Sequence, residues 1–106
     1  MLVVTTENVP GQRVREVMGE VFGIIVRSRG IGPNIVAQLR SLAGGEIVEY
    51  TQMLEEAREH AIARMIANAE ARGANAVIMM RFDSSEIGPA MSEIVAYGTA
   101  VVLEAV

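Results

Sequence analysis

EIVEYTQMLEEAREHAIARMIANAEAR, residues 46–72, is the one long stretch with a helical period, and the rest of the chain is organised around it. Ile47, Tyr50, Leu54, Ala57, Ala61, Met65 and Ala69 recur at steps of three and four, which gathers them on one face of a helix. Glu49, Glu56, Glu59, His60 and Glu70 fall on or near the other side and face water. Gly73 follows as the left-handed residue that closes the helix. The sequence on either side is short, β-prone and apolar, suited to covering the helical stripe.

Upstream, Leu2–Thr6 is a short β-branched run stopped by the turn Asn8-Val-Pro-Gly11. A strand is predicted across Gln12–Ser28 with a bend. Val17, Gly19, Val21, Gly23 and Ile25 share one parity, and Met18, Glu20, Phe22, Ile24 and Val26 share the other. Both parities are largely apolar, so both faces call for a cover. The helix can supply one, and a chain of 106 residues has little left for the second. Gly19 and Gly23 predict either a bulge or a close backbone approach. Residues 28–34 form a loop, and Gly32-Pro33 opens a short helix that stops at Gly44-Gly45. Downstream, a strand over Asn75–Asp83, a turn or longer hairpin loop over Ser84–Pro89 and a strand over Met91–Glu104 complete the order β-β-α-α-β-β. The expected fold is a single α+β domain over residues 1–106, a mostly antiparallel sheet packed on one long helix and a short one.

Composition narrows the function classes. Apolar residues make up 51% of the chain, a large share for so small an interior, which argues that part of the surface meets another copy. A net charge of −4 without a local Lys/Arg cluster, and only four aromatic residues (two Tyr, two Phe), leave no grip on nucleic acid. With no cysteine, disulfides, thiolate metal sites and thiol nucleophiles are all excluded. No apolar run is long enough to span a membrane, and the N-terminus lacks a basic region followed by an apolar core, so a cytoplasmic protein is expected.

Arg58 stands out because its helical angle falls inside the apolar arc, among Leu54, Ala61, Ile62 and Met65. A guanidinium there must reach the edge, pair with a strand carboxylate such as Glu20 or Glu93, or hold an anionic group in a pocket. With Tyr50, Arg27, Arg81 and Asp83 it forms the candidate ligand set. His60, flanked one turn away by Glu56, is the candidate metal position, although a solvated charged face is the better explanation of both residues, since no second nitrogen or sulfur ligand comes from the same chain. The seven methionines fall on apolar faces, where they fill gaps. Asp83, Glu86 and Glu93 could do acid/base work, but neither a nucleophile nor a cofactor loop accompanies them.

Several stretches together resemble the YbjQ-like family: VVTT (3–6) with Pro10-Gly11, GIIVRSRG (23–30), SLAGGE (41–46), Tyr50 followed by EEAREHA (55–61), GANAVI (73–78), RFDSSEI (81–87) and SEIVAYGTAV (92–101). The match follows the family's order over nearly the whole chain, and Arg58 matches the arginine of its helix pattern. The resemblance implies a dodecin-like subunit in a homo-oligomeric ring, a pentamer. It brings a heavy-metal-binding label but no activity. The expected role is a homo-oligomeric small-ligand-binding or structural protein. Metal sequestration by symmetry-related carboxylates and His60 is the alternative, and an enzyme with a carboxylate acid/base is the third.

Overall fold

The computed structural model describes residues 1–28, 48–88 and 91–106. Its longest strand, β2, spans Gln12–Ser28, as the two apolar parities predict. Strand β4, Met91–Ala105, pairs with it antiparallel along its whole length. On the other side of β4 lies β3, Ala76–Ile87, also antiparallel. The short β1, Leu2–Val3, pairs in parallel with Ala76 and Val77, giving a mixed sheet of order β1-β3-β4-β2. One helix, α1, Val48–Ala71, packs across the sheet. The α+β expectation therefore holds in its coarse form. Parallel pairing at β1 and the continuation of β3 beyond Asp83 are departures. Ser84, Ser85 and Glu86 were expected to turn, yet they pair with Ile94, Glu93 and Ser92, because pairing with a long apolar β4 overrides their weak strand preference. The predicted short helix after Gly32-Pro33 lies outside the described residues.

The helix ends as its sequence dictates. Gly73 adopts φ +83°, its N–H donates to Glu70 O at 2.9 Å, and Ala74 N–H donates to Ala69 O at 3.1 Å. This is the Schellman arrangement, and Ala74 is tucked into the core beside Ala69. Among the described side chains of the apolar stripe, burial begins at Ala57. Ala57, Ala61, Met65 and Ala69 are buried, whereas Leu54 is 44% exposed, because the first turns of α1 run past the packed region. Opposite them sit Val21, Ile25, Val77, Ala96 and Ala100. So many small residues bring helix and sheet very close, most of all at Gly23. Of the methionines, Met65 is fully buried and Met18 and Met80 pack against the core. Met53, Met79 and Met91 are exposed, against expectation: Met53 lies in the first turns of α1, before the buried stretch that starts at Ala57, and the other two lie outside the core between helix and sheet.

A second stripe on α1 fastens it to the edge strand. Arg64 Nη1 donates to Ile24 O at 2.8 Å, Asn68 Nδ2 to Phe22 O at 2.7 Å, and Arg72 Nη1 to Glu20 O at 2.6 Å. Four residues of helix advance about 6 Å and two of strand about 6.7 Å, so each step along one element meets a step along the other. Among the described residues, β2 pairs with a strand on one side only. These side chains therefore occupy carbonyls that an incoming strand would need, which blunts that edge.

Register shifts mark bulges near Val14–Gly19 in β2 and between Ile78 and Arg81 in β3. Gly19, at φ +102°, supplies the first, as its glycine suggested. The second contains Met79 at φ +54°, a conformation non-glycine residues seldom adopt. Met79 N–H and Met80 N–H donate to Thr6 O and Val4 O at 3.1 and 3.0 Å, so the chain beyond β1 holds the bulge in place. Because Met79 is 43% exposed, little packing offsets its strain. Met79→Gly is expected to raise stability by up to about 1 kcal/mol, seen as a rise of a few degrees in Tm. A fall of similar size would show that the Met79 side chain, not its backbone, matters at this site.

The described residues cover only half of the opposite face of the sheet. Near the start of β3, Ala76, Ile78 and Val101 form a small core with Val4, Val9 and Leu103. Farther along, Phe22, Ile24, Val26 and Tyr97 are 36–51% exposed. Phe22 pairs with Tyr97, and Ile24 with Val95, so these side chains lie together on one face. The molecule measures 55 × 26 × 16 Å with a radius of gyration of 17.3 Å, where about 13 Å suits a compact chain of this length. Its accessible surface of 6931 Å2 exceeds the roughly 5,800 Å2 expected of a folded monomer of its mass.

Candidate functional site

The β3 bulge decides which side chains meet the helix. Past it, Phe82 joins the helix-facing core, a face that simple alternation from Val77 would have denied it. Arg58 reaches over this ring, its guanidinium carbon 4.8 Å from the ring centroid. That is cation–π stacking distance, and it holds the guanidinium plane while leaving its N–H edge available. Among the described residues Arg58 has no ion-pair or hydrogen-bond partner; neither Glu20 nor Glu93 pairs with it.

Arg58 and Phe82 line a cleft of about 500 Å3. Leu54 and Ile94 give it apolar wall, and Ser84, Ser85 and Ser92 give it hydroxyls. Asp83, Glu86 and Glu93 bring carboxylates. The register places Asp83, Ser85 and Glu93 on the face away from the helix, so the cleft is lined from both sides of β3. Ser85 Oγ donates to Glu93 Oε2 at 3.1 Å, and Ser84 N–H donates to Asp83 Oδ1 at 2.9 Å, which fixes both carboxylates. The arrangement suits reversible binding of a polar molecule.

The predicted ligand set divides. Arg58 and Asp83 share the cleft. Arg81 is used structurally: its Nη1 donates to Thr5 O at 2.9 Å and Met80 O at 2.8 Å, clamping the N-terminal segment beside the bulge. Arg27 Nη2 lies 2.6 Å from His60 Nδ1, far along the sheet from Arg81. The side chain of Tyr50 lies outside the described residues. Sequence reasoning missed Phe82 and the serines. The spacing of Arg64, Asn68 and Arg72 at steps of four was a signal for the strand clamp. His60 Nδ1 accepts from Arg27, Glu56 is exposed, and among the described residues no three His, Asp or Glu side chains converge on a metal position.

The family model described as "Putative heavy-metal-binding" matches residues 1–104. The chain belongs to the YbjQ family. A UPF0145 protein of Bradyrhizobium sp. is 66% identical over 104 residues, covering 98% of this chain and 94% of that one. A UPF0145 protein of Thermoplasma acidophilum is 61% identical, with 98% and 87% covered. Among solved structures, a DUF74-family protein of unknown function from Pediococcus pentosaceus superposes with a TM-score of 0.64 at 16% identity, covering 98% of both chains. That likeness concerns the fold alone. This YbjQ-family chain has no cysteine and its one histidine is engaged by an arginine, which leaves the thioethers of its seven methionines as its main soft donors. No helix among the described residues is long and apolar enough to cross a membrane.

Proposed function

We propose that this protein works as a homo-oligomer, a ring of five copies, that binds a small polar molecule in the Arg58 cleft without transforming it. The observation that carries the assembly is the surplus of surface. A flat, elongated subunit exposes about 1,100 Å2 more than a compact monomer would, close to one partner's share of a standard interface. The apolar set Phe22, Ile24, Val26, Val95 and Tyr97 is the face to be covered, and the clamped β2 edge directs contact to that face instead of to strand addition. The number five comes from the family resemblance. A binding role in the cleft is supported by a stacked, unpaired guanidinium beside hydroxyls and fixed carboxylates.

Phe22→Glu tests the face. Seating a carboxylate opposite Tyr97 leaves an uncompensated charge in the contact, so assembly weakens by about ten-fold or more. Light scattering behind size exclusion is expected to show the variant shifted toward 11.4 kDa with unchanged far-ultraviolet dichroism. A variant that keeps the mass of the wild type would place the contact elsewhere.

A further inference from the structure

We propose that the bare face of the sheet is covered by the helix side of the next copy, with Arg58 of one subunit paired to Asp83 and Glu93 of its neighbour, an inference that rests on the assembly reading of this face. The face carries two charges that its cover must meet. Asp83 pairs with Val95 and Glu93 with Ser85, so both carboxylates lie away from the helix, among the exposed apolar side chains and as diagonal neighbours. Among the described residues neither has an ion pair, and Arg81 on the same face donates to Thr5 O instead. A cover of apolar side chains alone would leave two carboxylates buried and unpaired, which is costly. The covering surface therefore brings a cation.

The chain has no lysine, so apart from the N-terminus that cation is an arginine. Every other described arginine is spent within the subunit, on Glu104, His60 or a backbone carbonyl. Arg58 alone among the described arginines keeps its N–H edge open, with its plane held against Phe82 at 4.8 Å. Arg58 and Phe82 lie on the helix side of the sheet and the two carboxylates on the other, so the pair does not close within one subunit. Leu54, one turn before Arg58 and 44% exposed, gives the same surface an apolar part to set against Phe22 or Ile24. A contact between the helix side of one copy and the opposite side of the next is head-to-tail and repeats into a closed ring. Two bare faces set against each other would stop at a dimer and bring four carboxylates into one contact. A guanidinium carries N–H groups on more than one edge, so Arg58 can meet the carboxylates and still face its cleft, which then lies at the seam between copies.

The test is charge reversal, read by light scattering behind size exclusion. Arg58→Glu is expected to weaken assembly about ten-fold or more and to shift the mass toward 11.4 kDa with unchanged far-ultraviolet dichroism. Arg58→Met, which adds no like charge, is expected to weaken assembly by less. The pair Asp83→Arg and Glu93→Arg in one chain is expected to dissociate as Arg58→Glu does. Mixing these two dissociated proteins is expected to raise the mass again, because each meets an opposite charge on the other. Wild-type assembly in both Arg58 variants overturns the proposal, as does a mixture that stays dissociated. Loss of mass in Phe22→Glu but in neither Arg58 variant would defeat this pairing while leaving the assembly reading intact. Wild-type mass in all of them would count against the two together.

Discussion

Gly23→Ala is expected to unfold the helix from the sheet. A Cβ at this position would run into the backbone carbonyl oxygen of Ala61 and the amide nitrogen of Met65, and would lie 2.9 Å from Arg64 Cβ. These are backbone atoms in the middle of α1, where no rotamer change can make room. The helix would have to rise from β2, separating Val21 and Ile25 from Ala61, Met65 and Ala69, and stretching the bonds from Arg64, Asn68 and Arg72 to strand carbonyls. The cost should exceed about 3 kcal/mol, a large part of the roughly 5–15 kcal/mol that stabilises a typical domain. At fixed protein concentration, Tm should fall by about 10 °C or more, or the variant should fail to fold. A Tm within a couple of degrees of wild type would mean that α1 does not cross β2 at this point.

Met65→Ala should produce the second-largest loss. Met65 is fully buried and is the largest such side chain among the described residues, in a core otherwise made mostly of alanine and valine. Its neighbours cannot collapse into the space, since Ala61, Ala69, Ala96 and Ala100 carry nothing to extend. The expected cost is about 2–5 kcal/mol by urea denaturation, whereas Met65→Leu should cost less than about 1.5 kcal/mol. Equal losses in the two variants would point to a role for the thioether instead of its volume.

These two sites also mark what the sequence made legible. Met65 and the alanines at steps of four lie in an unbroken helical period, and Gly23 sits on an apolar strand parity, so helix, strand and close approach could all be argued beforehand. The limits of β2 and the left-handed Gly73 followed from equally local chemistry. What could not be read depended on non-local pairing. β1 runs parallel to a strand more than seventy residues away, and Ser84–Glu86 extend because β4 offers partners. Most consequential is the bulge at Met79. Two consecutive methionines give no bulge signal, and alternation without it puts Phe82 on the wrong face.

The site was legible to the same extent. Arg58 drew notice as a charge inside an apolar arc, which is a local property. Its stacking partner Phe82 depends on the bulge, and the roles of Arg81 and Arg27 depend on a distant carbonyl and a distant ring nitrogen. Hence a set of five candidates resolves into two that share a cleft, two that are otherwise engaged, and Tyr50, whose side chain lies outside the described residues.

The heavy-metal description of the family meets a chain with no cysteine and one histidine engaged by an arginine, so its soft donors are chiefly the thioethers of seven methionines.

The central claim is that the bare face of the sheet is covered by further copies of the same chain. A native mass spectrum of untagged protein, followed by a denaturing spectrum of the same sample, tests it most directly. The account predicts a native mass five times the 11.4 kDa subunit, with any bound molecule lost on denaturation. A native mass of 11.4 kDa at micromolar concentration would contradict it.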